Sequence, residues 1–159
     1  MYCCITNRFN INSNGGIHLV KIIECTTKEQ IMDHFIIRKL VFVDEQQVSM
    51  EEEFDLTEKN RTLFLVYDQN KPIGTARINF LQEYAKLERI CILKEYRKKN
   101  IGKFLINELI KYCQQNNYYN IHLGSQVQAI GFYEKCGFVK YGEMYYDANI
   151  PHYNMKKES

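Results

Sequence analysis

Apolar residues in this chain alternate between short continuous runs and wider helical spacings, the pattern of an α/β domain. Residues 17–25 (IHLVKIIEC) form a first expected strand. Thr26 or Thr27, followed three residues later by Glu29 or Gln30, spells a capping box. The helix it opens places Ile31, Phe35, Ile36, Leu40 and Val41 on an expected inner side. Residues 63–67 and 73–80 are strands joined by the turn Asp68-Gln69-Asn70-Lys71, and residues 86–93 continue the antiparallel meander. Ile101, Leu105 and Leu109, with Ile106, Ile110 and Cys113 beside them, mark a long amphipathic helix that Asn116-Asn117 ends. A short strand (118–123), a turn (124–128) and a second helix follow, the helix carrying Ala129, Phe132, Tyr133 and Cys136 up to Gly137. Strands at 138–146 and 152–156 close the chain around Asn149-Ile150-Pro151. The polar, Asn-rich residues 1–16, ending in Gly-Gly, are expected to be a flexible extension, and residues 17–159 one domain.

Residues 87–110, LERICILKEYRKKNIGKFLINELI, organise the rest. An apolar strand runs through a basic turn into the long helix, so the helix directs unpaired N–H groups and its positive dipole end at whatever lies above the turn. That order of pieces suits a diphosphate held by backbone. Gly102 supplies chain freedom there, and Asn100 is one of the few residues besides Gly that tolerates the left-handed conformation. Walker A spelling fails, because Arg97 and Phe104 stand where Gly and Ser or Thr are required, and a dinucleotide fingerprint fails for want of glycines.

The spelling that does fit is Arg/Gln-x-x-Gly-x-Gly/Ala, matched from Arg97 as Arg-Lys-Lys-Asn-Ile-Gly with Asn100 in place of the first Gly. It resembles the coenzyme A diphosphate loop of the GNAT superfamily of N-acetyltransferases. VFVDEQQV (41–48), KPIGTARI (71–78), KLERICIL (86–93), FYEKCGF (132–138) and NIPHYNM (149–155) look like successive landmarks of its ElaA/YjcF-like branch. The resemblance implies the acyl-CoA N-acyltransferase fold, a mixed and mostly antiparallel sheet flanked by helices. It also implies acetyl-CoA as cosubstrate and transfer of its acetyl group to a primary amine of a small molecule or peptide.

By the same resemblance the backbone of Ile90, Cys91 and Ile92 would carry the pantetheine arm. Arg97, Lys98, Lys99, Asn100, Ile101, Gly102 and Lys103 would surround the diphosphate, with Gln126, Ala129 and Phe132 nearby. Glu88 of the LER motif is the expected general base, a task for which burial would have to hold its proton toward neutrality; its alternative is an ion pair with Arg77 or Arg89. Tyr133 aligns with the tyrosine that faces the coenzyme A sulfur, where a phenol of pKa about 10 can protonate a leaving thiolate. His122 and His152 are weaker candidates near the acceptor. Cys91 and Cys136 are expected in the core, which favours direct transfer over an acetyl-cysteine intermediate.

Composition narrows the alternatives. The 159 residues, 45% hydrophobic and 25% charged, suit one soluble domain, and a net charge of +2 does not point to nucleic acid or a membrane surface. The acidic residues of 42–60 (Asp44, Glu45, Glu51, Glu52, Glu53, Asp55 and Glu58) are either a wall that attracts a cationic amine or a solvated loop. Six cysteines without C-x-x-C spacing argue against a zinc site and against a disulfide framework, and for a cytoplasmic protein; a monomer or homodimer is expected. Neither a membrane span nor a signal peptide is spelled. The competing function is an acyl-CoA-binding sensor module of the same fold without turnover.

Overall fold

The computed structural model of the chain describes residues 5–11 and 17–158. Its elements are β1 (Ile5–Ile11), β2 (Ile17–Glu24), α1 (Lys28–Arg38), a π-helical continuation (Lys39–Glu45), α2 (Met50–Glu53), β3 (Thr62–Asp68), β4 (Lys71–Phe80), β5 (Ala85–Ile92), α3 (Ile101–Gln115), β6 (Asn120–Gln126), α4 (Ile130–Lys135), β7 (Val139–Asp147) and β8 (Ile150–Glu158). Among the described residues eight strands form one sheet in the order β1-β2-β3-β4-β5-β6-β8-β7. Every ladder is antiparallel except β5 with β6, as a helical crossover requires. This is the mixed, mostly antiparallel sheet expected from the sequence.

Helices cover both faces. Along β4, Ala76 and Ile78 join the core that α3 seals with Ile101, Leu105, Ile106 and Leu109, all buried. The alternate residues Thr75 and Arg77 point to the side of α1, because successive strand residues face opposite ways. There Ile37 and Val41 pack on Cys91 and Leu93. No helix among the described residues is long and apolar enough to cross a membrane.

Two expectations are corrected. Within the segment expected to be flexible, Ile5–Ile11 instead pairs antiparallel with β2, which satisfies backbone groups that an edge strand would leave bare; residues 1–4 and 12–16 lie outside the described residues. α1 begins at the capping box, with Thr27 Oγ1 accepting from Gln30 N at 3.2 Å and Gln30 Oε1 accepting from Thr27 N at 3.1 Å. Its inner face, however, is His34, Ile37 and Arg38, while Ile36 and Leu40 are about half exposed. A cation sits inside because carboxylates meet it there: Arg38 Nε donates to Glu53 at 2.7 Å and Nη1 to Glu58 at 2.6 Å.

Candidate functional site

β5 and β6 pair only over Ala85↔Ile121, Lys86↔His122 and Leu87↔Leu123 and then separate. The cause is a bulge: Thr75 faces Cys91 but Arg77 faces Glu88, so β5 carries an extra residue there, and Arg89 takes a φ of 51°. A cleft of about 710 Å³ opens between the parted strands. Ile90, Cys91 and Ile92 line it from β5 and Gln126 from the end of β6, with Ala129, Phe132 and Tyr133 beyond.

The basic turn forms one mouth of the cleft. Asn100 caps α3 with φ 61°, the left-handed conformation its chemistry allows, and no side chain caps the helix, so its first N–H groups face the opening. Lys98 is left-handed too, at φ 60°. Gly102 lies against the Phe132 ring, which would stand 3.3 Å from any Cβ placed there. Arg97, Lys98 and Lys103 line the cleft. Two expected residues do not: Ile101 is buried in the core, and the Lys99 ammonium lies 5.4 Å over the Tyr96 ring.

Arg97 also has a partner that its local sequence does not announce. Its Nε donates to the Ile92 carbonyl at 2.8 Å, and Nη1 and Nη2 grip Glu45 at 2.6 and 2.9 Å. This fork holds the Glu45 carboxyl below its usual range. Beside it, Gln126 Nε2 donates to Gln46 Oε1 at 2.7 Å, so Glu45 and Gln46 together strap the segment after α1 across both rims of the opening.

Tyr133 is buried at the cleft wall, and burial pushes its phenol well above its ordinary range, a correction to the unshifted phenol expected from sequence. The phenol therefore holds its proton firmly. Glu88 lines the cleft but is not isolated: Oε2 accepts from Arg77 Nε at 2.8 Å and stands 2.7 Å from Nη2. This is the Arg77 ion pair held open as its alternative. Burial pushes the Cys91 thiol up to about 12 and raises that of Cys136 as well, so neither is a poised nucleophile.

The acidic segment is divided: Asp44, Glu45, Glu51, Glu52 and Asp55 are exposed, whereas Glu53 and Glu58 turn inward to arginines. Glu58 bridges Arg38 and Arg77 at 2.6 and 2.9 Å, and Glu53 bridges Arg38 and Arg89 at 2.7 and 3.2 Å. Glu53 itself lines the cleft, and burial raises its pKa in spite of Arg89 and Arg38. Sequence reasoning grouped it with its neighbours; the signal it lacked was the pair of arginines brought from α1 and β5. His122 lies away from the cleft, bonded to Tyr141 and Asn120, whereas His152 lines it. Among the described residues no cluster of three His, Cys, Asp or Glu side chains is placed to hold a metal ion.

Comparisons with known proteins agree with this architecture. Residues 25–159 match the family model described as an acetyltransferase (GNAT) domain. The uncharacterized N-acetyltransferase YjcF of Bacillus subtilis is 38% identical over 140 residues, covering 87% of this chain and all of YjcF. A putative N-acetyltransferase from Lactobacillus plantarum superposes with a TM-score of 0.82 at 25% identity, covering 87% of this chain and 97% of its own. A GNAT family acetyltransferase from Elizabethkingia anophelis, solved with acetyl-CoA bound, shares the fold with a TM-score of 0.67 at 16% identity over 88% of this chain and 98% of its own. With a bulged β5 parting from β6, an uncapped α3 behind a basic turn and a family match over most of its length, the chain belongs to the GNAT acetyltransferase family.

Proposed function

We propose that this protein moves the acetyl group of acetyl-CoA directly to a primary amine of a small molecule or peptide. The observation that carries the reading is one continuous cleft, running from the uncapped end of α3, past the free edge of β5, to the buried hydroxyl-bearing side chain of Tyr133. The residues fit the ligand: left-handed Lys98 and Asn100 turn backbone N–H groups toward a diphosphate, and the parted β5 edge offers Ile90 and Ile92 to the amides of a pantetheine arm. The acetyl-CoA of the Elizabethkingia anophelis structure is carried across to this cleft as part of the same reading.

In this reading the amide near Ile90 polarises the thioester carbonyl, and Tyr133 protonates the departing sulfur. Glu88 is tied to Arg77, and the proton of the acceptor ammonium goes to another group. The test is thermal unfolding with ligands followed by thiol release with a panel of amines. Acetyl-CoA should raise the Tm, by about 2.7 kcal/mol of added stability at a hundredfold excess over Kd, while ATP and NAD shift it far less. Equal shifts from all three would remove the cofactor assignment. A shift with acetyl-CoA but no thiol release with any amine would leave a binding module in place of an enzyme.

A further inference from the structure

We propose that His152 is a catalytic residue of this site, the group that takes the proton from the acceptor ammonium. The inference rests on the transferase reading above and adds to it the base that Glu88 does not supply.

The argument begins with position. β8 lies beside β6, and in that ladder His152 is the partner of Gln126; in the β7–β8 ladder it is the partner of Tyr145. Directly opposed residues stand on the same face of a sheet, so Gln126, His152 and Tyr145 form a row across three strands, and all three line the cleft. The row lies on the β6 side of the opening, across from the bulged part of β5 where the thioester carbonyl would sit. The ring is held in place. It stacks on Tyr145 with centroids 5.7 Å apart and planes 24° apart, and the Tyr145 hydroxyl occupies the space that a Cβ on Gly124 would need.

Its tautomer is set as well. Nδ1 lies 2.7 Å from the Ile150 carbonyl, which can only accept, so Nδ1 carries a hydrogen and, in the neutral ring, the lone pair is on Nε2. Among the described residues Nε2 has no hydrogen-bond partner, and the ring lies at the cleft wall. A base whose far nitrogen donates to a fixed acceptor is the arrangement by which a histidine is oriented for proton transfer, and the same carbonyl stabilises the imidazolium that forms.

Three of the four carboxylates that line the cleft are already engaged, the fourth being the exposed Asp147 at the end of β7. Glu88 is held by Arg77, Glu53 by Arg38 and Arg89, and Glu52 accepts from Ser49 at 3.0 Å. The step then balances. His152 Nε2 takes one proton from the ammonium, and the freed lone pair forms the N–C bond to the thioester carbon. Collapse breaks the C–S bond with its electron pair leaving on sulfur, which takes the Tyr133 hydroxyl hydrogen. The second proton of the new nitrogen restores Tyr133, and the imidazolium proton passes to water.

The experiment combines kinetics and NMR on the full chain with an amine found by thiol release. His152→Gln should lower kcat about a hundredfold while leaving the Kd for acetyl-CoA within about twofold. Added imidazole should restore activity to His152→Ala and not to a Tyr133→Phe variant. Long-range 1H–15N spectra, assigned with His152→Gln, should show His152 with its proton on Nδ1. Wild-type turnover matched by an unchanged kcat in His152→Gln, or a proton found on Nε2, overturns the role of His152 alone. A wild type that binds acetyl-CoA and acetylates no amine overturns the transferase reading, and this role with it.

Discussion

One wall of the cleft is made by consecutive residues, β5 leading through the basic turn into α3, whereas the opposite wall is assembled from the segment after α1, α2 and the β7–β8 hairpin. The first wall works through backbone: a bulged strand edge, left-handed Lys98 and Asn100, and the N–H groups of an uncapped helix. The second works through side chains whose partners come from elsewhere, above all the chain of charges from Glu53 through Arg38, Glu58 and Arg77 to Glu88. Backbone sites tolerate side-chain change but not conformational change. Buried charge networks behave the other way round, since removing one member strands the rest.

That contrast is sharpest at Arg38. It is fully buried, so Arg38→Met should leave Glu53 and Glu58 under-compensated and cost about 3 to 5 kcal/mol in urea unfolding without ligand. A loss below about 1 kcal/mol would mean that the network is solvent-relaxed and that this wall is no less tolerant than the other. The α1 side that carries Arg38 should also be acid-sensitive through His34, which burial and the nearby Arg38 charge hold down at about 4. Below pH 6.5 the unfolded chain takes a proton that the folded one refuses, so the unfolded state binds more protons and stability falls as pH drops from 6.5 toward 4. The full window amounts to about 3 kcal/mol. Urea midpoints across that range should follow this slope in the parent and lose much of it in His34→Asn; parallel slopes would assign the acid limb to other groups.

Tyr133 stands where the two walls meet. Tyr133→Phe keeps the ring in its packing against Phe132 and Phe138 and removes only the hydroxyl, so kcat should fall about a hundredfold with little change in acetyl-CoA affinity. Parallel losses in kcat and affinity would make the hydroxyl a binding group. The smallest effect is expected on the backbone wall itself. At φ 61° Asn100→Gly should bind coenzyme A at least as tightly, and Asn100→Val about tenfold more weakly by calorimetric titration, the cost of forcing a β-branched residue left-handed. Equal affinity in the Val variant would show that loop conformation does not limit binding.

Legibility followed the range of the interactions. The capping box of Thr27 and Gln30, the apolar stripe of α3, the left-handed Asn100 and the bounds of the later strands to within a few residues were all readable, because each depends on neighbours within a turn or a ladder. The face of α1 was not. Ile36 and Leu40 look like core by spacing, and only the arrival of Glu53 and Glu58 makes it favourable to bury Arg38 and turn those apolar residues outward. The strand at Ile5–Ile11 was missed for a related reason, since its polar composition conceals a pairing that the bare edge of β2 provides.

By itself, the sequence determined the family, the left-handed turn at Asn100 and the helix that follows it, since a helix start and a left-handed residue are set by local sterics and local hydrogen bonds. Tertiary structure alone decided which charges are free to act. Arg97 is answered by Glu45, which precedes it by 52 positions, Glu88 by Arg77 on the neighbouring β4, and Glu53 by Arg38 and Arg89 from α1 and β5. A titratable side chain acquires its role from the charges and dielectric packed around it, and these are brought together only when distant segments fold against one another.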